Sequence, residues 1–197
     1  IARKHMPHAK VGFEGMFRSI SECGYDMEAI MDEVDYLCSY SYPYRAATMR
    51  SLRKPGSIIG QFANSYKGLP AAGEWFVWEL LLNHHQHLFW WRGTGLSGCL
   101  SYALQPRGTD SFIRVSENVR EIKQGIAALV MNAPRVGEHV GLLYSQPSLH
   151  ASKIYGDRHD NTNIQAQLFA LFDDLHVGYR VIGSRQVARP EWWKEND

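Results

Sequence analysis

Residues 87 to 93, His-Leu-Phe-Trp-Trp-Arg-Gly, set Phe89, Trp90, Trp91 and Arg92 directly behind a long helical segment. A short aromatic run closed by glycine reads as a buried strand. Alternation along such a strand gives Phe89 and Trp91 one face and Trp90 the other. A flat aromatic face next to a guanidinium suits a polar ring such as a sugar. Ring C–H groups lie on the aromatics while the hydroxyls take hydrogen bonds from the arginine. Plain core packing uses the same residue types.

Other residues of sugar-binding type recur at the ends of strand-like runs. They are Glu14, then Tyr40, Tyr42 and Tyr44, then Gln61, Asn64 and Tyr66, then Trp91, Arg92 and the segment through Tyr102. The expected sugar contacts are Tyr42, Gln61, Asn64, Phe89, Trp91 and Arg92, with no catalytic residue identified. Ordinary glycoside hydrolysis needs two carboxylates, an acid/base and a nucleophile. Here only Glu14 stands at a strand end, where a salt-bridging or capping role is the alternative. Asp35 precedes its strand and belongs at the opposite end. Glu74, one turn into a helix, reads as a partner of the helix dipole. Glu79 reads as a solvated partner of a neighbouring charge.

His84, His85 and His87 crowd the end of that helix, and His84 and His87 are spaced to share a face. A helix C-terminus already favours histidine through its dipole, so no metal is expected there. His150 and His159 have no carboxylate or cysteine at ligand spacing. No G-x-S-x-G, P-loop or H-E-x-x-H occurs, and Ser145-Gln146-Pro147-Ser148 lacks the flanking glycines of a nucleophile elbow. No cofactor is expected either: G-x-G-x-x-G is absent, which disfavours dinucleotide binding.

The elements that must position these residues alternate. Strands are expected at Ala9–Phe13, Tyr36–Tyr40, Ser57–Phe62 and Leu88–Trp91. Helices are expected over about 25–34, 45–53, 71–86 and 111–132, with loops at 64–68 and 93–110. Strand and helix at short spacing predict parallel strands joined by right-handed crossovers. Four such units make half of an eight-unit barrel; a complete small open α/β sheet is the alternative. Asn132-Ala133-Pro134 marks a boundary. Beyond it come a strand at His139–Tyr144, a loop at 145–160, a helix at 161–175 and a strand at Tyr179–Ile182. Domains are therefore expected at 1–133 and 138–197.

The chain has 197 residues, a formal net charge of +1, 45% hydrophobic and 21% charged residues. That balance argues against nucleic-acid partners and a polybasic membrane patch. No run reaches the ~18 apolar residues of a membrane span. Cys23, Cys38 and Cys99 lie far apart and form neither a disulfide framework nor a zinc motif. The first residues, Ile-Ala-Arg-Lys-His, are neither a start methionine nor a signal peptide, so a piece of a longer chain is expected.

Several segments resemble glycoside hydrolase family 42, which contains β-galactosidases. They are Val11-Gly12-Phe13-Glu14-Gly15, Val34-Asp35-Tyr36-Leu37, Trp78 through Leu88-Phe89-Trp90-Trp91-Arg92, and Glu121-Ile122-Lys123-Gln124-Gly125-Ile126. His139-Val140-Gly141-Leu142-Leu143-Tyr144-Ser145 is similar to the first strand of that family's trimerisation domain. The resemblance implies strands 5 to 8 of a (β/α)₈ TIM barrel in residues 1–133. A flavodoxin-like or amidotransferase-like domain would then begin in 138–197. It also implies a carbohydrate substrate, an acid/base glutamate upstream of Ile1 and a homotrimer as the whole protein's assembly. Phe89, Trp91 and Arg92 match positions near the sugar. The nucleophile would end the seventh strand, here Ser57–Phe62, and no carboxylate stands there. Gln61 can bind a hydroxyl but cannot form a glycosyl ester. Half a barrel would be inactive alone, with exposed strand edges prone to aggregation. A non-catalytic carbohydrate-binding or scaffold protein on a decayed barrel is the competing expectation.

Overall fold

The computed structural model describes residues 2–15, 24–40, 43–64, 70–91, 110–156 and 161–195. Tyr42, Tyr66, Arg92, His159 and the segment 93–109 lie outside them. Four parallel strands form one sheet in sequential order: β1 (Gly12–Glu14), β2 (Tyr36–Tyr40), β3 (Ile58–Asn64) and β4 (His87–Trp91). The register sets Glu14 against Cys38, Cys38 against Gly60 and Gly60 against His87. Helices α1 (Met27–Glu33), α2 (Pro43–Leu52) and α3 (Pro70–Leu82) are the crossovers. After β4 come α4 (Asp110–Glu121), a π turn (Ile122–Ile126) and α5 (Ala127–Asn132). A second sheet pairs β5 (Val140–Tyr144) in parallel with β6 (Tyr179–Gly183). Between them run α6 (Gln146–Ile154) and α7 (Asn161–Asp174). The fold is mixed α/β with parallel sheets. Among the described residues no helix is long and apolar enough to cross a membrane.

The helix over 25–34 begins as expected: Asp26 caps α1, its Oδ1 accepting from the Ala29 N–H at 2.9 Å. Other expectations need correction. The first strand starts at Gly12 rather than Ala9, and β3 runs past Phe62 to Asn64. The helix expected over 71–86 ends at Leu82. His84 closes it in a left-handed conformation (φ 56°), its N–H bonded to Leu81 O at 2.8 Å. The helix expected over 111–132 is interrupted because Gly125 sits at φ 141°, which side chains rarely adopt. The loop expected over 145–160 contains α6. Ser145 is its cap and Pro147 lies in its first turn, so Ser-Gln-Pro-Ser is a helix start.

One face of the four-stranded sheet packs on helices. Phe13, Leu37 and Ile59 join Met27, Met31, Met49 and Leu52 in a first cluster. Leu88 and Trp90 join Val77, Leu81, Val115 and Ile122 in a second. Every strand residue in these clusters has the same alternation parity, which identifies this face. The first cluster also contains Tyr144, Leu149, Phe169, Tyr179 and Val181, so both sheets share one core.

Polar contacts fix the second sheet against α1 and α2. The buried Glu28 carboxylate accepts from Ser184 Oγ at 2.8 Å and the Arg185 N–H at 2.9 Å. Gln146 Oε1 accepts from the Met27 N–H at 3.0 Å, and the Val181 N–H donates to Ser51 Oγ at 3.1 Å.

Candidate functional site

The opposite face of the sheet carries the residues of the other parity, in rows across the strands. Glu14, Cys38, Gly60 and His87 form one row; Tyr40, Phe62 and Phe89 form the next toward the strands' C-terminal ends. Tyr40 and Phe62 stack with centroids 5.0 Å apart and planes 9° apart. Phe62 and Phe89 follow at 4.5 Å, tilted by 45°. The result is a continuous aromatic wall on the face away from the helices. Asn64 and Trp91 end β3 and β4 and pair in register one row further on.

Below the wall is a polar group. Tyr36 donates from its hydroxyl to Glu14 Oε1 at 2.6 Å. Its ring meets His87 edge to face, with centroids 5.5 Å apart. Gly60 permits this approach, since a Cβ there would run into the carbonyl and Cβ of His87. Burial, then the bond to Glu14, raises the Tyr36 phenol above its ordinary range. Burial pushes the Cys38 thiol up to about 12, against the opposing pull of its hydrogen bond with Tyr36. Both groups are therefore neutral near pH 7. Glu14, exposed at the end of β1, is an acceptor held by this phenol.

The structure separates the residues expected to contact sugar. Phe89 lies in the aromatic wall. Asn64 and Trp91 sit at the strand ends, next to each other in register. Gln61 does not join them: it pairs with Leu88, shares the parity of Ile59 and faces the helix layer, 1% exposed. Its Nε2 has no hydrogen-bond partner among the described residues. The physical reason is period-two alternation, since neighbours of Phe62 cannot share its face. Tyr42 and Arg92 lie outside the described residues. The C-terminal residue of β3 is thus Asn64, an amide and not an acid.

Other side chains are placed as follows. Asp35 sits at the strands' N-terminal end as expected, its Oδ2 accepting from the Val11 N–H at 3.0 Å and its Oδ1 2.8 Å from Lys54 Nζ. Glu74 pairs with Arg114 at 3.3 Å. Glu79 is not a solvated carboxylate: burial, then Asp173, raises its pKa to about 7. His85 is buried with Nε2 3.1 Å from Ala46 O. His84 lies in the turn and His87 on β4, so the two share no helix face. Among the described residues no His, Cys, Asp and Glu group is arranged to hold a metal. His150 lies on α6, its Nε2 3.2 Å from Tyr25 O. The sequence reading assigns Tyr36, Cys38 and His87 no place on this face, although the alternation of Tyr-Leu-Cys-Ser-Tyr carries that signal.

No protein-family model matches the chain, and no curated protein matches it in sequence. In fold it is similar to a solved β-galactosidase from the psychrophilic Marinomonas ef1, with a TM-score of 0.68 and 12% identity. The match covers 92% of this chain and 35% of that one, so the chain spans about a third of the length of the structure it resembles. At this identity the likeness shows the fold alone.

Proposed function

We propose that the chain belongs to a carbohydrate-active protein of glycosidase type, its four-stranded sheet supplying one half of an eight-stranded parallel barrel. One observation carries this: β1 to β4 are parallel and strictly sequential, with helices packed on one face and the aromatic wall on the other. A barrel covers its outer face with helices and keeps its inner face for side-chain layers, whereas a doubly wound sheet takes helices on both faces. The β-galactosidase likeness in fold supports the same reading. The sugar would lie on Phe62 and Phe89, with Asn64, Trp91, Arg92 and Tyr42 around the strand ends. Gln61, facing the helices, has no part in it. Family 42 is the specific assignment proposed. Residues 138–197 would begin its trimerisation domain, and the whole protein would be a homotrimer, which light scattering tests.

The test is hydrolysis of aryl β-galactosides by the full-length protein, together with calorimetric binding of galactose and lactose. Turnover is expected, and Phe89→Ala should weaken sugar binding about tenfold through loss of the stacking surface. A protein that neither binds nor cleaves any of these glycosides overturns the proposal. A second reading, sugar binding without hydrolysis, is favoured by Asn64 ending β3. Saturable binding with no turnover decides for it.

A further inference from the structure

The aromatic wall lies toward the C-terminal ends of the strands, and the strongest feature left over lies at the other end. The connections from α2 to β3, from α3 to β4 and from α5 to β5 meet there around a cleft of about 440 Å³. Among the described residues its charged lining is Arg50, Arg53, Lys54, Arg135 and Arg180, against the single carboxylate of Glu138, with the His84 turn beside them. Glu138 is already shared: Arg50 Nη2 reaches its Oε1 at 3.1 Å and Arg135 Nε at 2.7 Å. Arg53 directs Nη1 to the His84 carbonyl at 3.2 Å, a neutral acceptor. Lys54 is matched by Asp35 from outside the cleft. Arg50, Arg53 and Arg135 therefore outnumber the one carboxylate of the described lining.

The position also strengthens the field. The Arg50 side chain is only 7% exposed, and one of its nitrogens donates to Tyr179 O at 3.2 Å, which fixes the guanidinium in place. Burial, then the Arg135 charge, lowers the Arg50 pKa to about 10, against the opposing pull of Glu138. Burial and then Arg135, Arg53 and Arg50 push His84 below its ordinary value, so these charges are felt across the cleft. Fixed guanidiniums in a partly desolvated concavity are the arrangement that takes oxyanions by charge-assisted, often bidentate hydrogen bonds. Asp173 lines a neighbouring cavity together with Arg50 and Arg135, and its charge offsets part of theirs at Arg50.

We propose that this cleft is a binding site for a phosphate-bearing small molecule, remote from the sugar face. Arg53 and Arg135 would be the principal ligands of the oxyanion, with Arg50 supplying fixed charge behind them. The room exceeds that of one phosphate group, so a phosphate ester or pyrophosphate fits better than the free ion.

Calorimetry on the full-length protein tests it with inorganic phosphate, pyrophosphate and a hexose phosphate, each against sodium chloride of equal ionic strength. Saturable binding is expected, tightest for pyrophosphate or the ester, and weakened about tenfold or more in Arg53→Gln and Arg135→Gln. Arg114→Gln, on the exposed pair with Glu74, should leave it unchanged. Should either variant fail to fold, phenylglyoxal labelling of the unaltered protein replaces it: pyrophosphate is expected to protect Arg53 and Arg135 and leave Arg114 reactive. Heat no larger than that of chloride overturns the proposal. So do binding indifferent to both substitutions, protection that does not single out these arginines, and binding of RNA or heparin in the absence of small-phosphate binding.

Discussion

The aromatic face of the sheet depends on individual residues of types that are ordinary in the sequence. Gly60 has no functional group, yet it is what lets His87 reach Tyr36. Gly60→Ala is expected to destabilise by about 1–3 kcal/mol through overpacking against β4, seen as a lower Tm. Two titratable groups, the buried His85 and the partly buried Glu79, give opposite pH dependences. Burial holds His85 down to about 4 from an ordinary 6.5, against the pull of its Ala46 bond. The unfolded chain therefore takes up a proton first, so the stability His85 contributes is complete above about 6.5 and lost as pH falls toward 4. Glu79 runs the other way: its folded value of about 7 lies above the ordinary 4.5, so its penalty is absent below that and complete above about 7. Glu79→Gln should stabilise by about 1 kcal/mol near pH 8, allowing for solvent screening of a half-exposed group, and change nothing near pH 4. His85→Gln should shrink the fall in Tm between pH 6.5 and pH 4.

Elements were far more legible than sites. Tyr36–Tyr40 is delimited by Asp35 and by turn-rich residues, and it is the strand found. Pro70 starts α3 where a proline should. The π turn is not legible in the sequence because an apolar period of 3.6 continues through Gly125, and only its positive φ reveals the break. Gln61 lies one step of alternation from the face expected for it, since composition alone does not fix the strand end. Helix α6 was hidden because its capping residues are also turn residues. At this scale Glu28 is the decisive contact, joining α1 to the chain after β6. Glu28→Ala leaves the Arg185 N–H and Ser184 hydroxyl without their acceptor, at a cost of about 1–3 kcal/mol. Hydrogen exchange should show faster amides over 179–187 and little change in β2 and β3.

At the scale of the whole molecule the two sheets share one core. Pro134 and Gly137 mark a turn between two sheets, but Met27, Met49 and Leu52 pack in the same cluster as Tyr144, Phe169 and Val181. The two sheets are thus expected to melt together, with near- and far-UV circular dichroism giving one coincident transition. Residues 1–138 expressed alone should bind a hydrophobic dye through the uncovered face of α1 and α2. Cys38 also gives this opening a clock. Its sulfur is fully buried on the aromatic face, and alkylating reagents attack only the thiolate, so the intact sheet should resist them. With Cys23 and Cys99 changed to serine, the rate of Cys38 labelling becomes a direct reading of how often the sheet opens. Any sugar that binds the aromatic wall should slow that rate in proportion to its occupancy.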